Sequence, residues 1–154
     1  MKGFVIILFF PFYLSAQVNC RVVGIIDGDT FTALCEDTVQ IKVRLASIDC
    51  PEKGQPFSSV CKKYLSNLIF GKTVLINKSG LDRYGRTIAN VYIDSIFVNE
   101  KMIEVGLAWH FVRYDNSQRL TDLENQARKE KRGLWIDPNP TPPWEWKKSG
   151  GNGN

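Results

Sequence analysis

The segment RVVGIIDGDTFTALC, residues 21–35, has the pattern of two β-strands joined by a tight turn. β-Branched and aromatic residues, which favour strands, fill both flanks. The dipeptide Asp27-Gly28 between them is a strong signal for a two-residue hairpin turn. Such a turn places Ile26 opposite Asp29. The segment therefore predicts an antiparallel hairpin near the start of the folded chain.

Strand and helix patterns alternate after this hairpin. Strand-like runs rich in β-branched residues occupy 39–48, 72–78 and 86–93. Helical spacing of apolar residues predicts helices over 57–70, 99–105 and 121–132. Because the short strands are interrupted by helices, the expected fold class is mixed α+β and based on a β-barrel. A five-stranded oligonucleotide/oligosaccharide-binding (OB) barrel with three α-helices suits this order of elements.

The C-terminal residues, 137–154, are rich in proline and tryptophan. The prolines disfavour regular structure, whereas Trp144 and Trp146 are too apolar for a free tail. We expect an extended strap that packs on the domain and ends in a disordered tail.

Charged residues stand at unusual positions in the predicted strands. Asp29 begins the second strand, where aspartate is disfavoured, and Arg44 lies in the middle of the third. Asp49 and Glu52 leave that third strand, and Arg86 opens the fifth. Each alone has an ordinary explanation, as a turn former or a solvated side chain. As a set, they contain the groups that hydrolysis of a phosphodiester requires.

Each part of this set has a defined chemical use. Carboxylate oxygens suit a hard divalent cation such as Ca²⁺, which also accepts backbone carbonyls and waters. A further carboxylate can orient or deprotonate a water molecule. Two arginines can hold a phosphate and stabilise the charge that develops on it during attack. The set therefore predicts phosphodiester hydrolysis.

The first residues, MKGFVIILFFPFYLSA at 1–16, have the pattern of a secretory signal peptide. Lys2 precedes an apolar run from Phe4 to Leu14 that is too short for a comfortable membrane span, and cleavage is expected after Ala16. An uncleaved N-terminal anchor is the alternative. Loss of Lys2 changes the formal net charge from +4 to +3, a mild excess that permits a phosphate-bearing partner. We expect export to the periplasm or the medium, with no stable membrane association after cleavage.

Four cysteines follow the signal peptide: Cys20, Cys35, Cys50 and Cys61. In an exported chain, an even count indicates disulfides rather than a metal site, and four cysteines allow three pairings. Counting outward from the predicted turn brings Cys20 opposite Cys35, at a separation that a disulfide can span. By elimination, the second pair would be Cys50 with Cys61.

Three motifs, IDGDT (26–30), RLASIDCPE (44–52) and DRYGR (82–86), resemble those of the thermonuclease (staphylococcal nuclease) family in order and spacing. The resemblance is to exported bacterial members and covers nearly all of the chain after the signal peptide. It implies a nuclease domain with the OB fold over residues 17–136.

The resemblance also implies roles for individual residues at the predicted metal site. It implies that Ca²⁺ is bound by Asp29, Asp49 and the backbone carbonyl of Cys50. Glu52 matches the position of the general base or water-orienting group.

Further positions match residues that contact the substrate in the family. Arg44 and Arg86 correspond to the phosphate clamp. Tyr84 and Tyr114 match positions that contact the nucleotide and its 5′ phosphate, and Arg83 would lie near the nucleic-acid backbone.

The activity that the resemblance implies is that of a Ca²⁺-dependent endonuclease. It would hydrolyse DNA and RNA with little sequence preference, act preferentially on single strands, leave 3′-phosphate ends and work as a monomer. One alternative is a non-catalytic OB-fold protein that only binds nucleic acid. Another is a secreted protein whose tryptophan-rich strap binds a partner. A pure binder has no need for a metal-ligand pair beside a third carboxylate, so the complete charged set favours the enzyme.

Overall fold

The structure is a computed structural model that describes residues 17–150. The predicted signal peptide, 1–16, and the last residues, 151–154, lie outside the described residues. Across 17–150, every helix is too short or too polar to serve as a membrane span.

The described chain contains eight strands and four α-helices. The strands are β1 (Gln17–Ile25), β2 (Thr30–Cys35), β3 (Val39–Leu45), β4 (Ile48–Asp49), β5 (Thr73–Leu81), β6 (Thr87–Ile93), β7 (Ile96–Phe97) and β8 (Trp109–His110). The helices are α1 (Ser58–Ile69), α2 (Val98–Glu104), α3 (Gln118–Lys129) and α4 (Pro143–Lys148), and a 3₁₀ turn covers Gly133–Ile136.

Five of these strands form a closed barrel, as the sequence predicts. Antiparallel pairing gives the order β3-β2-β1-β5-β6, and a parallel pairing of β3 with β6 closes the sheet on itself. In that pairing Arg44 lies beside Ile88. The mixed α+β fold based on a five-stranded barrel is therefore confirmed.

The barrel interior follows from the alternation of side chains along each strand. On β6, the residues from Thr87 to Ile93 alternate between buried and partly exposed, as the two-residue period of a strand requires. Helix α1 covers one side of the barrel with Cys61, Leu65 and Ile69, which recur every fourth residue and so share one face.

The hairpin of β1 and β2 differs from its prediction in the turn. The prediction of a two-residue turn is wrong, because β1 ends at Ile25 and β2 begins only at Thr30, which leaves a longer loop. The register then shifts by one residue at a bulge around Val23. This extra residue compensates for the longer loop, so Cys20 still lies opposite Cys35 and forms the predicted disulfide with it.

The second predicted disulfide is wrong. Cys50 and Cys61 are buried, free thiols. The Cys61 thiol donates to the backbone carbonyl oxygen of Leu107 at 3.1 Å. The pairing by elimination assumed that all four cysteines are oxidised, whereas the structure holds these two as a reduced pair packed against Gly28.

The C-terminal strap is not extended throughout, and the count of three helices is wrong for that reason. Helix α4 begins at Pro143, a position where proline is tolerated because the first N–H groups of a helix have no partner within it. Its Trp144 packs on the domain, with ring centroids 5.3 Å from Phe111 and 5.6 Å from Trp109.

Helix α3 begins earlier than predicted. Its N-cap is Ser117, whose hydroxyl oxygen accepts the backbone N–H of Leu120, rather than Thr121. Serine is a strong N-cap residue, and the polar residues after it do not show the apolar period that places a helix in a sequence.

Candidate active site

Two neighbouring barrel strands bring Asp29 and Arg44 together. Asp29 directly precedes β2, and in the pairing of β2 with β3 its neighbour Thr30 lies opposite Arg44. The backbone N–H of Leu45 also donates to the Asp29 carbonyl at 2.9 Å. Asp49 then ends β4, directly after the corner that follows β3. Asp29, Arg44 and Asp49 therefore meet at one edge of the barrel.

Arg44 bridges the two buried aspartates. Its guanidinium NH1 lies 2.5 Å from Asp29 Oδ1, and NH2 lies 2.8 Å from Asp49 Oδ1. Burial alone would lower the pKa of Arg44, but the two carboxylates raise it well above its ordinary value. A third bond, from NH2 to the Ile48 carbonyl at 3.3 Å, leaves two of the five guanidinium N–H groups without a partner in residues 17–150.

Asp29 is held on both sides. Its Oδ1 accepts the hydroxyl of Thr30 at 3.0 Å, and its Oδ2 accepts the backbone N–H of Cys50 at 2.9 Å. The second bond ties the carboxylate to the backbone whose carbonyl is the predicted metal ligand.

Three acidic residues line a small pocket. Asp27, Asp29, Cys50, Pro51 and Glu52 line it. Burial raises the pKa of Asp27 to about 6, and the negative charge of Asp29 contributes to that rise.

Asp49 lies beside the pocket, and its pKa is also raised. Burial raises its pKa, the charge of Asp29 raises it further, and Arg44 and Lys147 oppose the rise without cancelling it. A bound cation would relieve the repulsion among these carboxylates.

The donor set fits a hard cation rather than a soft one. In the described part of the chain, no three His, Cys, Asp or Glu side chains are arranged to hold a metal. Ca²⁺ does not require such a cluster, because backbone carbonyls and waters complete its ligand sphere. Asp29 and Asp49, with the Cys50 carbonyl, would be the protein ligands.

Arg86 reaches the same edge through Thr30. Its NH1 donates to Thr30 Oγ1 at 3.3 Å, and that hydroxyl bonds Asp29. Its Nε donates to Asp82 Oδ2 at 2.6 Å. Three of its five N–H groups then have no partner among the described residues, so Arg86 has more capacity for a phosphate than Arg44.

Glu52 faces the pocket and contacts the C-terminal strap. Its Oε1 lies 2.7 Å from Lys147 Nζ. Its backbone N–H donates to Gln55 Oε1 at 2.9 Å, and Gln55 Nε2 donates to the Thr141 carbonyl at 2.6 Å.

The predicted substrate-contacting residues are exposed. Tyr84 is 68% exposed and Tyr114 is 75% exposed. The guanidinium carbon of Arg83 lies 4.8 Å from the centre of the Tyr84 ring, and that of Arg86 lies 5.6 Å away. Tyr84 therefore adjoins Arg86, whereas Tyr114 packs edge-on against Phe111.

Sequence reasoning missed three residues of this site. In the sequence, Asp27 has the position of a turn former, although it belongs to the same IDGDT motif as Asp29. Asp82 precedes Arg86 by four residues in DRYGR, which is a usable signal for its partner. Lys147 had no local signal, because its contact with Glu52 joins distant parts of the chain.

Comparison with known proteins gives the family. A family model described as "Staphylococcal nuclease homologue" matches residues 42–137. A relative from Escherichia coli O157:H7, described as an uncharacterized endonuclease, is 37% identical over 151 residues, which are 96% of this chain and 98% of that protein.

Two further relatives agree with this match. An uncharacterized endonuclease of Haemophilus influenzae is 43% identical over 130 residues, 84% of this chain and 73% of that protein. A micrococcal nuclease of Shigella flexneri is 36% identical over 148 residues, 89% of this chain and 84% of that protein. The chain thus belongs to the staphylococcal nuclease family, a metal-dependent family that acts on nucleic acids, and it is a nuclease.

Proposed function

We propose that the protein is an exported, Ca²⁺-dependent endonuclease that hydrolyses phosphodiester bonds of DNA and RNA. It prefers single strands, has little sequence preference, leaves 3′-phosphate ends and acts as a monomer. The observation that carries this proposal is the convergence of carboxylates and arginines at and beside one pocket. Asp29 and Glu52 line the pocket. Arg44 bonds Asp29 and Asp49 beside it, and Arg86 joins them through Thr30.

The metal site in this proposal consists of Asp29, Asp49 and the Cys50 carbonyl. Bound Ca²⁺ would supply positive charge that lowers the cost of the negative charge developing on the phosphate. Asp27 lies in the same pocket and adds to the negative potential that attracts a cation.

Glu52 and Arg86 act on the reacting groups in this mechanism. Glu52 accepts a proton from the attacking water or orients it, because its carboxylate borders the pocket without being bound to either arginine. Arg86 donates its unpartnered N–H groups to the phosphate oxygens, and these bonds strengthen as negative charge develops.

Arg44 has less capacity to bind phosphate than Arg86. Its two remaining N–H groups can meet a phosphate, while its other bonds keep Asp29 and Asp49 in place. We expect it to organise the site as much as it binds substrate.

The low sequence preference follows from the kind of contacts that the site offers. Tyr84 and Tyr114 present aromatic rings on which a base of any identity can stack. Arginine contacts to phosphate position a nucleic acid but do not read its bases. Stacking of a base on these rings requires that the base be unpaired, so the site favours single-stranded nucleic acid as a substrate.

Export is consistent with two features. The sequence of 1–16 has the signal-peptide pattern, and the Cys20–Cys35 disulfide is typical of an oxidising compartment.

Nuclease assays with and without metal test the proposal. Purified protein should degrade single-stranded DNA and RNA with added Ca²⁺ and lose this activity with a chelator. Mass analysis of the products should show 3′-phosphate ends. Full activity in chelator would exclude the metal assignment, and 5′-phosphate products would exclude the proposed bond cleavage.

Two substitutions separate the proposed roles. Glu52→Gln should lower the single-turnover rate by ~10²–10⁴, the usual contribution of general acid–base catalysis, and leave binding of a nucleoside 3′,5′-bisphosphate nearly unchanged. Arg86→Ala should lower the rate by at least ~10² and also weaken that binding, because the guanidinium meets the phosphate in both states. The exposed Glu36→Gln is the matched control. A wild-type rate in Glu52→Gln would remove Glu52 from the mechanism.

A further inference from the structure

An ion pair joins the C-terminal strap to the wall of the acidic pocket. Lys147 Nζ lies 2.7 Å from Glu52 Oε1, with the two side chains 56% and 34% exposed. An ion pair as exposed as this one contributes little to the stability of a fold. Its main consequence is therefore the place at which it holds the Glu52 carboxylate.

The backbone of Glu52 is tied to the same strap. The buried Gln55 accepts the Glu52 N–H with its side-chain oxygen and donates its side-chain N–H to the carbonyl of Thr141. Both the main chain and the carboxylate of Glu52 are thus held by residues 141–147.

The strap itself is anchored by aromatic packing. The Trp144 ring lies parallel to Phe111 within 4°, and it meets Trp109 edge-on. Lys147 follows Trp144 by three residues on α4, so the two side chains lie on neighbouring positions of one helix face. Anchoring of Trp144 consequently directs Lys147 toward the pocket.

Lys147 lies outside the region that the family model matches, 42–137. The strap therefore supplies Glu52 with a partner from beyond the matched region.

We propose that Lys147 is a positioning residue for hydrolysis, which holds the Glu52 carboxylate at the pocket wall where it meets the attacking water. The inference rests on the proposed role of Glu52. Through this ion pair, the C-terminal strap becomes a part of the active site.

Single-turnover cleavage of single-stranded DNA at saturating Ca²⁺ tests this inference. Lys147→Met should lower the rate by about 10- to 100-fold, the effect of a misplaced reacting group, without changing bisphosphate binding or the thermal unfolding midpoint. Lys147→Arg should restore most of the rate, because a guanidinium can pair with the same carboxylate. Lys148→Met, on the same helix, should behave as wild type. A wild-type rate in Lys147→Met, or no recovery in Lys147→Arg, would overturn the inference.

A double-mutant cycle separates this inference from the role of Glu52. If Lys147 acts through Glu52, then Lys147→Met should cause no further loss in the Glu52→Gln background. A full additional loss there would show that Lys147 acts elsewhere, and the role of Glu52 would stand. A wild-type rate in Glu52→Gln alone would overturn both.

Discussion

Among the described residues, Arg44 is the one cation in direct contact with both buried aspartates, Asp29 and Asp49. Asp27 adds a further carboxylate to the pocket that Asp29 lines. Two buried charges left without a partner are costly because water cannot solvate them. The position of Arg44 near the end of β3 is explained by these two contacts. Its role can be measured through folding as well as through catalysis.

Arg44→Ala should destabilise the metal-free protein by about 3 kcal/mol, the low end of the range for a broken buried ion pair because Arg44 is 17% exposed. Added Ca²⁺ should recover part of this loss if Asp29 and Asp49 share the cation. Urea unfolding with and without Ca²⁺ measures both effects. Arg21→Ala, an exposed change on β1, is the control. An equal loss in both conditions would argue against a shared cation.

At this scale, sequence reasoning located residues that stand in conflict with their local environment. Asp29 at a strand start and Arg44 inside a strand were visible because each violates a propensity. Lys147 was not visible, because a lysine near the end of an exposed helix violates nothing. Such a residue is revealed only by the three-dimensional contact that it makes.

At the scale of the elements, the loop between β1 and β2 determines where Asp27 and Asp29 are placed. Gly28 lies in this loop between Asp27 and Asp29. A Cβ atom at this position would lie 2.8 Å from the Cβ atoms of both Cys50 and Cys61. Close packing of the loop on these two thiols therefore fixes how deep its carboxylates sit.

Gly28→Ala should destabilise the protein by about 1–3 kcal/mol, the usual cost of overpacking a core, and weaken Ca²⁺ binding because the loop must move outward. Urea unfolding and calorimetric titration with Ca²⁺ are the measurements. Gly24→Ala is the control on the neighbouring strand, where a Cβ would meet Thr32 at an ordinary 3.8 Å. Equal unfolding midpoints for the two variants would show that the loop accommodates a Cβ atom at position 28 without overpacking.

The sequence predicted the elements of the barrel but not the details of their ends. The bulge at Val23 was hidden because apolar residues continue from Val22 to Ile26, apart from Gly24, and do not alternate with polar ones. Helix α4 was not predicted because the sequence around it is rich in proline, which disfavours helices. In both cases the deciding contacts come from other parts of the chain.

In the molecule as a whole, distant segments meet at the active site. Gln55 and Thr141 are 86 residues apart in sequence. No local sequence pattern predicts the hydrogen bond between them. The short motifs predicted the barrel and its charged residues because those depend on neighbouring strands. The packing of the strap depends on the complete surface that it covers, including Trp109 and Phe111.

The oxidation state of the cysteines is also a property of the whole fold. Cys20 and Cys35 lie on paired strands and form a disulfide, whereas Cys50 and Cys61 are enclosed between α1 and the β1–β2 loop as thiols. Burial raises the pKa of the Cys50 thiol well above its usual value, and the hydrogen bond with Cys61 acts in the same direction. Because the thiolate is the reactive form, both burial and the raised pKa slow oxidation.

We therefore expect an aromatic disulfide reagent to find no reactive thiols in the folded protein at neutral pH, even after isolation from an oxidising compartment. After unfolding in denaturant, it should titrate the two thiols of Cys50 and Cys61. Peptide mapping without reduction should give Cys20–Cys35 as a disulfide. Protein unfolded and reduced together, then freed of reductant, should give all four thiols and is the control. If the unreduced, unfolded protein has no free thiol, then Cys50 and Cys61 pair after all, and their reduced packing against Gly28 is not the form that survives in the oxidising compartment.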